Sequence, residues 1–149
     1  MEQKIEETLA IIKPDGVKNA DKIIDMLYQN GLKIKEYKLT ILDKDIIKEH
    51  YAHLIDKPFY PEIEAYMTSG KVALMILEGE NAVEKFRTLM GPTNSKLAAK
   101  GTIRGEFGTD ITQNAIHGSD SEESASIEME RFFYRDVKKR TLKLNPTQN

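Results

Sequence analysis

The alternation of hydrophobic and polar positions along the chain predicts four strands. TLAIIK, at 8–13, and KVALMIL, at 71–77, are short and almost continuously apolar, which is typical of buried strands. In LKIKEYKLTIL, at 32–42, apolar and polar residues alternate but change phase after Ile34, which predicts a bulged, half-buried strand. A fourth, short strand is expected at 115–117.

Apolar residues at helical spacing predict helices between these strands. Residues 91–112 show little periodicity and contain several glycines, so we expect a long loop there, and such loops are usually functional. Ser119 and Glu122 fit a capping box at the start of the last helix. The order of elements predicts an α+β, ferredoxin-like sandwich, a four-stranded antiparallel sheet with helices packed on it. The helices are expected near 21–30, 43–54 with Asp43 as cap, 63–67, 80–90 and 121–133.

Composition narrows the classes of protein that these elements can form. A chain of 149 residues with 40% hydrophobic content is expected to form one domain, 1–149, with a basic, polar tail from about residue 135. The formal net charge of -2 provides no basic field for nucleic acid or an anionic membrane, so an anionic ligand needs a local cluster of cations. Without cysteine there are no disulfides, thiolate zinc sites or cysteine nucleophiles. The N-terminal segment predicts neither a signal peptide nor a membrane span, and we expect a cytoplasmic protein.

Several polar side chains lie at the ends of predicted elements, where binding sites commonly form. The common phosphate-binding loops, GxxxxGK[ST] and GxGxxG after a strand, are absent from the sequence. Lysine binds phosphate as a point charge and arginine as a planar fork, so the basic members of this set suit an anion. Spacing alone does not bring them together. The set is Lys13, Arg87, Thr93, Arg104, Asn114 and His117.

His117 has three possible roles. A metal ligand would need partners, and the other two histidines, His50 and His53, lack an HExxH pattern. A buried histidine with satisfied hydrogen bonds is the ordinary alternative. A nucleophile would need a free ring nitrogen and an acceptor on the other nitrogen; Glu128, eleven residues on, can supply that acceptor. Gly118 is expected to leave space for a phosphate beside the ring.

The stretch NAIHGSDS, at 114–121, resembles the active-site signature of the nucleoside diphosphate kinases. Five further segments resemble family signatures in the same order: IIKPDGV, EHYAHL, KPFYPEI, SGKV and GTIRGEF. The resemblance extends from Thr8 to about Tyr134. It implies a ping-pong reaction in which a nucleoside triphosphate gives its γ-phosphate to His117, and a nucleoside diphosphate then takes it.

The resemblance also implies roles for individual residues. Asn114 would contact the sugar, and the base would lie between Phe59 and Ile111. Glu128 would orient His117, with Ser119 and Asp120 in support. Mg²⁺ would be held by the nucleotide phosphates, without a direct protein ligand, and Asp120 would be the nearest carboxylate. The expected assembly is a homo-oligomer, a tetramer or a hexamer. The residues implied around the phosphates are Lys13, Tyr51, Arg87, Thr93 and Arg104.

Two departures from the family pattern affect stability more than chemistry. Ser95 and Lys100 stand where the family usually has prolines, so we expect retained catalysis with lower thermal and subunit stability. Two other functions stay open at this point: a phosphohistidine relay to another protein, and a non-catalytic binding module. The nucleotide-matching residues argue against the relay, and the presence of Lys13 and His117 argues against the binding module.

Overall fold

The computed structural model of the chain describes residues 4–135; the predicted basic tail from 136 onward lies outside the described residues. Its centre is a four-stranded sheet of order β2-β3-β1-β4 in which all neighbours pair antiparallel, which confirms the predicted fold class. The first strand begins three residues earlier than the sequence indicates. The strands are β1 Ile5–Ile12, β2 Lys33–Thr40, β3 Val72–Glu80 and β4 Ile116–Gly118.

Helices lie on both faces of the sheet. The segment 91–112, predicted as a long loop, contains a 3₁₀ turn and a short helix that the sequence does not predict. No helix within residues 4–135 has the length and hydrophobicity needed to cross a bilayer. The helices are α1 Ala20–Gln29, α2 Lys44–His50, α3 Tyr60–Met67, α4 Ala82–Met90, α5 Ile103–Phe107 and α6 Glu122–Met129, and a π-helical turn, Glu130–Tyr134, continues α6.

Two hydrophobic cores form because side chains alternate across β1. Ala10 and Ile12 belong to one core, which includes residues of α1 and α4. Leu9 and Ile11 belong to the other, beneath α2, α3 and the π-helical turn. In the β1–β4 ladder Ile11 pairs with His117, so His117 lies on the second face. The strand register therefore places this histidine among the helices that follow β2 and β4.

Local signals at element ends are confirmed in two places and wrong in one. The Asp43 carboxylate accepts a hydrogen bond from the Ile46 amide, as predicted, and the register shift in β2 is the expected bulge. The capping box at Ser119 is wrong: α6 begins at Glu122, and the Ser121 hydroxyl accepts from the Ser124 amide at 3.0 Å. Ser119 is still attached to the sheet, because its amide donates to the Leu9 carbonyl at 3.3 Å.

Candidate active site

A cavity of about 900 Å³ opens beside His117, between α3, α4 and the segment that precedes β4. Nearly all the side chains that the sequence proposes for the site line this cavity. Glu128 and Ser119 are the two exceptions, and both lie behind the His117 ring. The predicted residues on the cavity wall are Lys13, Tyr51, Phe59, Arg87, Thr93, Arg104, Ile111, Asn114, His117 and Asp120.

The His117 ring is held from behind by a carboxylate. Its Nε2 lies 2.7 Å from Oε1 of Glu128, as the sequence predicts. The buried hydroxyl of Ser119 donates to the same oxygen at 3.1 Å, which fixes the carboxylate in turn. Because a carboxylate accepts, Nε2 carries the ring proton and the lone pair remains on Nδ1. The arrangement is that of a histidine nucleophile with an orienting base.

Residues at the exit of β1 fix the backbone that leads into β4. Ala115 has φ +73°, a left-handed conformation that alanine rarely adopts. Its amide donates to Oδ2 of Asp15 at 3.0 Å, and its carbonyl accepts from the Lys13 amide at 2.8 Å. Tyr66 donates its hydroxyl to the other Asp15 oxygen. These contacts hold a strained residue two positions before His117, and sequence reasoning did not assign Asp15 or Tyr66 to the site.

Two buried cations form the interior of the cavity. Burial, and then the positive charge of Arg104, lower the pKa of Lys13 to about 8. Burial also lowers the pKa of Arg104 to about 10. Two guanidinium nitrogens of Arg104 donate to the carbonyls of Gly91 and Ile116, each at 2.9 Å, so its position is fixed before any ligand binds. Two cations that repel one another at the bottom of a cavity suit a polyphosphate.

The outer part of the cavity adds a third cation and two oxygen groups. Arg87 extends from the last turn of α4 and is exposed. Burial raises the pKa of Tyr51 to about 12, so its phenol stays protonated and able to donate. A hydrogen bond from Ser124 holds the pKa of Asp120 below its usual range, so that exposed carboxylate is ionised at neutral pH.

Asn114 presents an acceptor that the protein does not use. Its amide group donates to the carbonyls of Thr93 at 2.9 Å and Ile111 at 3.1 Å. The side chain is 1% exposed, and its Oδ1 has no hydrogen-bond partner among residues 4–135. An unsatisfied buried acceptor is costly, and a hydrogen bond from a ligand hydroxyl would remove that cost.

Large apolar side chains stand exposed at the cavity mouth. Phe59 is 49% exposed and Ile111 is 62% exposed, although both belong to residue types that are usually buried. An aromatic ring and an aliphatic side chain on one cavity can hold a flat, apolar ring between them.

Gly118 packs closely against α4. A Cβ at this position would lie 2.6 Å from Cε2 of Phe86 and 2.7 Å from Cε of Met90. The glycine therefore lets α4 pack against β4, and it also lies on the wall of the cavity beside His117.

Two further residues near His117 were not assigned to the site from the sequence. The ring of His50 lies edge-on to the ring of His117, with centroids 4.7 Å apart. Arg131 donates to Nδ1 of His50 at 2.9 Å. His50, His117 and Glu128 bring potential metal-ligand atoms within 4.8 Å of one another, but Arg131 already occupies one nitrogen of His50. No sequence pattern indicates the contact between His50 and Arg131, because the two residues lie 81 positions apart.

The sheet, the oriented histidine and the cation-lined cavity define a class: an α+β enzyme whose site suits phosphate transfer. The nucleoside diphosphate kinase family profile matches residues 6–137. The chain belongs to the nucleoside diphosphate kinase family.

Curated relatives and solved structures match over most of their own lengths. Nucleoside diphosphate kinases of Wolbachia sp. subsp. Drosophila simulans (strain wRi) and Campylobacter fetus subsp. fetus (strain 82-40) are 49% and 50% identical to it over 131 residues, 87% of this chain and 94% and 96% of theirs. The Aquifex aeolicus nucleoside diphosphate kinase superimposes with a TM-score of 0.82 at 40% identity, covering 87% of this chain and 96% of that one. A halophilic nucleoside diphosphate kinase from Halobacterium salinarum, in complex with CDP, gives 0.83 at 40% identity, covering 87% and 88%.

Proposed function

We propose that His117 carries the phosphate in the reaction of this family, the transfer of the γ-phosphate of a nucleoside triphosphate to a nucleoside diphosphate. The observation that carries this assignment is the 2.7 Å contact between His117 Nε2 and Glu128, which leaves the Nδ1 lone pair unused beside the cavity. Glu128 orients the ring and stabilises the positive charge that the ring acquires when Nδ1 forms a bond.

In the first half-reaction a P–O bond breaks and a P–N bond forms, and in the second the P–N bond breaks and a P–O bond forms. The Nδ1 lone pair attacks the γ-phosphorus, and the bond to the bridging oxygen breaks, so the nucleoside diphosphate leaves with the electron pair. A terminal oxygen of the second nucleoside diphosphate then attacks the phosphohistidine, and the electron pair returns to Nδ1. No proton has to leave the ring in either step, because the Nε2 proton stays on the ring and remains hydrogen-bonded to Glu128.

The cavity cations supply most of the stabilisation of the transferred group. Lys13, Arg87 and Arg104 neutralise the phosphate oxygens, while Tyr51 and Thr93 donate hydrogen bonds. A Mg²⁺ ion bound to the phosphates would supply further neutralisation there. The ionised, exposed Asp120 fits contact with the water shell of such an ion.

The nucleoside is held by shape and stacking. The unpartnered Oδ1 of Asn114 would accept from a sugar hydroxyl. Phe59 and Ile111 would hold the base between them, and because every base has a π face, this clamp would accept different bases.

Assembly, domain count and location extend the proposal beyond the site. A homo-oligomer, tetramer or hexamer, is supported by the edge strand β2, where the side chains of Tyr37 and Leu39 and the following Ile41 are exposed. Light scattering after gel filtration measures the oligomeric state.

One domain over 1–149 is supported by the single sheet that spans residues 5–118. The cytoplasmic location stays a prediction.

A labelling experiment tests the nucleophile directly. The protein is mixed with γ-labelled ATP and Mg²⁺, freed of nucleotide, and assayed for acid-labile, base-stable phosphate on the chain. We expect one phosphate per chain that leaves when GDP is added, and none on the His117→Ala variant. Nucleotide binding without label would indicate a binding module. Label that moves to another protein but not to GDP would indicate a relay.

A further inference from the structure

A second histidine lies against His117 and is held by an arginine from another part of the chain. His50 ends α2, is 8% exposed, and packs edge-on to His117, with an angle of 84° between the rings. Arg131, in the π-helical turn after α6, donates from Nη1 to Nδ1 of His50 at 2.9 Å. The same guanidinium donates from Nε to Glu49 at 2.8 Å, which fixes its orientation.

The Arg131 contact determines where the His50 proton is. Arginine has donors only, so the Nδ1 atom that it reaches must offer a lone pair. His50 is therefore neutral, with its proton on Nε2. A protonated His50 would place an N–H against the guanidinium and would lose this bond.

We propose that Arg131 and His50 are positioning residues for His117: Arg131 holds His50 as the neutral Nε2–H tautomer, and the His50 ring fixes the plane of the His117 ring. Glu128 fixes His117 within its ring plane by a hydrogen bond, whereas His50 supports the ring through an edge-to-face contact. The two supports together restrict Nδ1 to one direction. This inference rests on the proposed role of His117 as the phosphate acceptor.

The groups around His50 explain why its neutral state matters. Lys13 after β1, Arg131, and His117 on β4 all disfavour a charge on His50, as does His53 on the following turn. Glu128 is the acidic side chain on the opposite side, within 4.8 Å, and Glu49 on the same helix is already paired with Arg131 and Arg135. Burial first, and these neighbouring groups second, lower the pKa of His50 well below its ordinary value.

Arg131→Met and Arg135→Met form a matched pair of variants. Both arginines bind Glu49, but of the two only Arg131 also reaches His50. We expect Arg131→Met to slow phosphorylation of His117 by ATP about tenfold in single-turnover measurements, since small misplacements of a reacting atom are costly. Arg135→Met is expected to stay within about twofold of the parent, because surface pairs contribute little. Arg131→Lys, which keeps a donor, should recover part of the rate.

Nitrogen NMR of the imidazole rings gives a readout that is independent of activity. In the unmodified protein, His50 should show a neutral Nε2–H ring at pH 6, with His53→Asn used for assignment. In Arg131→Met it should show both tautomers and protonate closer to its ordinary pKa. A proton on Nδ1 of His50 in the unmodified protein would overturn the proposal, whether or not the variant folds.

The kinetic outcomes separate this inference from the proposed function. If the unmodified protein takes no phosphate, the role of His117 fails, while the His50 spectrum still reports its tautomer. If it takes phosphate but Arg131→Met matches Arg135→Met in both rate and spectrum, only the positioning role of Arg131 and His50 fails.

Discussion

His117 and His50 have the same side chain and lie in ring contact, yet their hydrogen bonds leave different atoms free. Glu128 accepts from Nε2 of His117, so the lone pair on Nδ1 remains available. Arg131 donates to Nδ1 of His50, so the corresponding lone pair is used. Both rings are Nε2–H tautomers, and the partner decides which of them can form a bond to phosphorus.

The two rings also differ in the backbone that carries them. His50 ends a regular helix, whereas His117 follows Ala115, which has a positive φ. The comparison indicates that the surroundings of a histidine, which leave a lone pair free and fix the backbone, determine its ability to act as a nucleophile more than the imidazole itself does.

The largest expected effect comes from removing the carboxylate behind His117. Glu128→Gln should slow phosphohistidine formation about 100-fold, because the amide can turn its NH₂ toward Nε2 and invert the tautomer. Single-turnover labelling with γ-labelled ATP measures the rate. Ser119→Ala, which removes only the hydrogen bond to Glu128, is the control and should cost far less. Equal rates for Glu128→Gln and the parent would show that the carboxylate does not determine which nitrogen of His117 carries the lone pair.

A valine at Ala115 tests the strained backbone before His117. A β-branched residue is disfavoured at φ +73°, so Ala115→Val should lower the free energy of unfolding by about 2 kcal/mol. Ala52→Val is the matched control, since this exposed alanine lies two residues from His50, and its effect should stay within about 0.5 kcal/mol. Urea unfolding followed by circular dichroism measures both. Similar costs at the two positions would contradict the difference between the backbones.

The pH dependence of nucleotide use reports on Lys13. Its pKa of about 8 means that the ammonium is charged below pH 8 and loses its proton above it, so kcat/KM should fall as pH rises from 8 to 10. The fall in kcat should occur at a higher pH than the fall in kcat/KM, because bound phosphate stabilises the charged form of Lys13. In Lys13→Arg the fall between pH 8 and about 9 should disappear, whatever the absolute rate, whereas the loss of the Arg104 charge near pH 10 should remain. A Lys13→Arg profile that retains the first fall would assign that titration to another group.

Ser95→Pro is expected to give the smallest effect. Proline restricts the unfolded chain, a gain of about 0.4–1 kcal/mol at a compatible site. The Ser95 amide, however, donates to the Asp110 carbonyl at 3.3 Å, and proline would lose that bond. We therefore expect the melting temperature to rise by less than about 4 °C. Ser95→Ala separates the loss of the hydroxyl from the effect of the ring. Unfolding and dissociation curves that overlay the parent's would remove Ser95 from the account of stability.

The sequence predicts most of this fold because its strongest signals are local. The buried strands, the bulge in β2 and the Asp43 cap each depend on a few adjacent residues, and all are confirmed. The Ser119 cap is wrong because the choice between Ser119 and Ser121 depends on the sheet: the Ser119 amide bonds to Leu9 of β1. The close packing around Gly118 likewise depends on Phe86 and Met90 of α4, which no local signal reports.

The sequence predicts the site residues that belong to a recognisable motif. It does not predict contacts that tertiary packing creates. The structure gathers nearly all the residues of the family pattern around one cavity, and Glu128 lies at hydrogen-bonding distance from His117. The contacts of Asp15 with Ala115, and of His50 with Arg131, join distant parts of the chain through side-chain geometry. No periodicity or spacing reports such contacts.

The bond between Asp15 and Ala115 joins residues that are 100 positions apart in the chain. Contacts of such long sequence separation form late, because a long loop must close before they contribute to stability. After dilution from denaturant, helical signal should therefore return before the ability to accept phosphate. We therefore expect catalytic competence to be the last property that this chain gains as it folds.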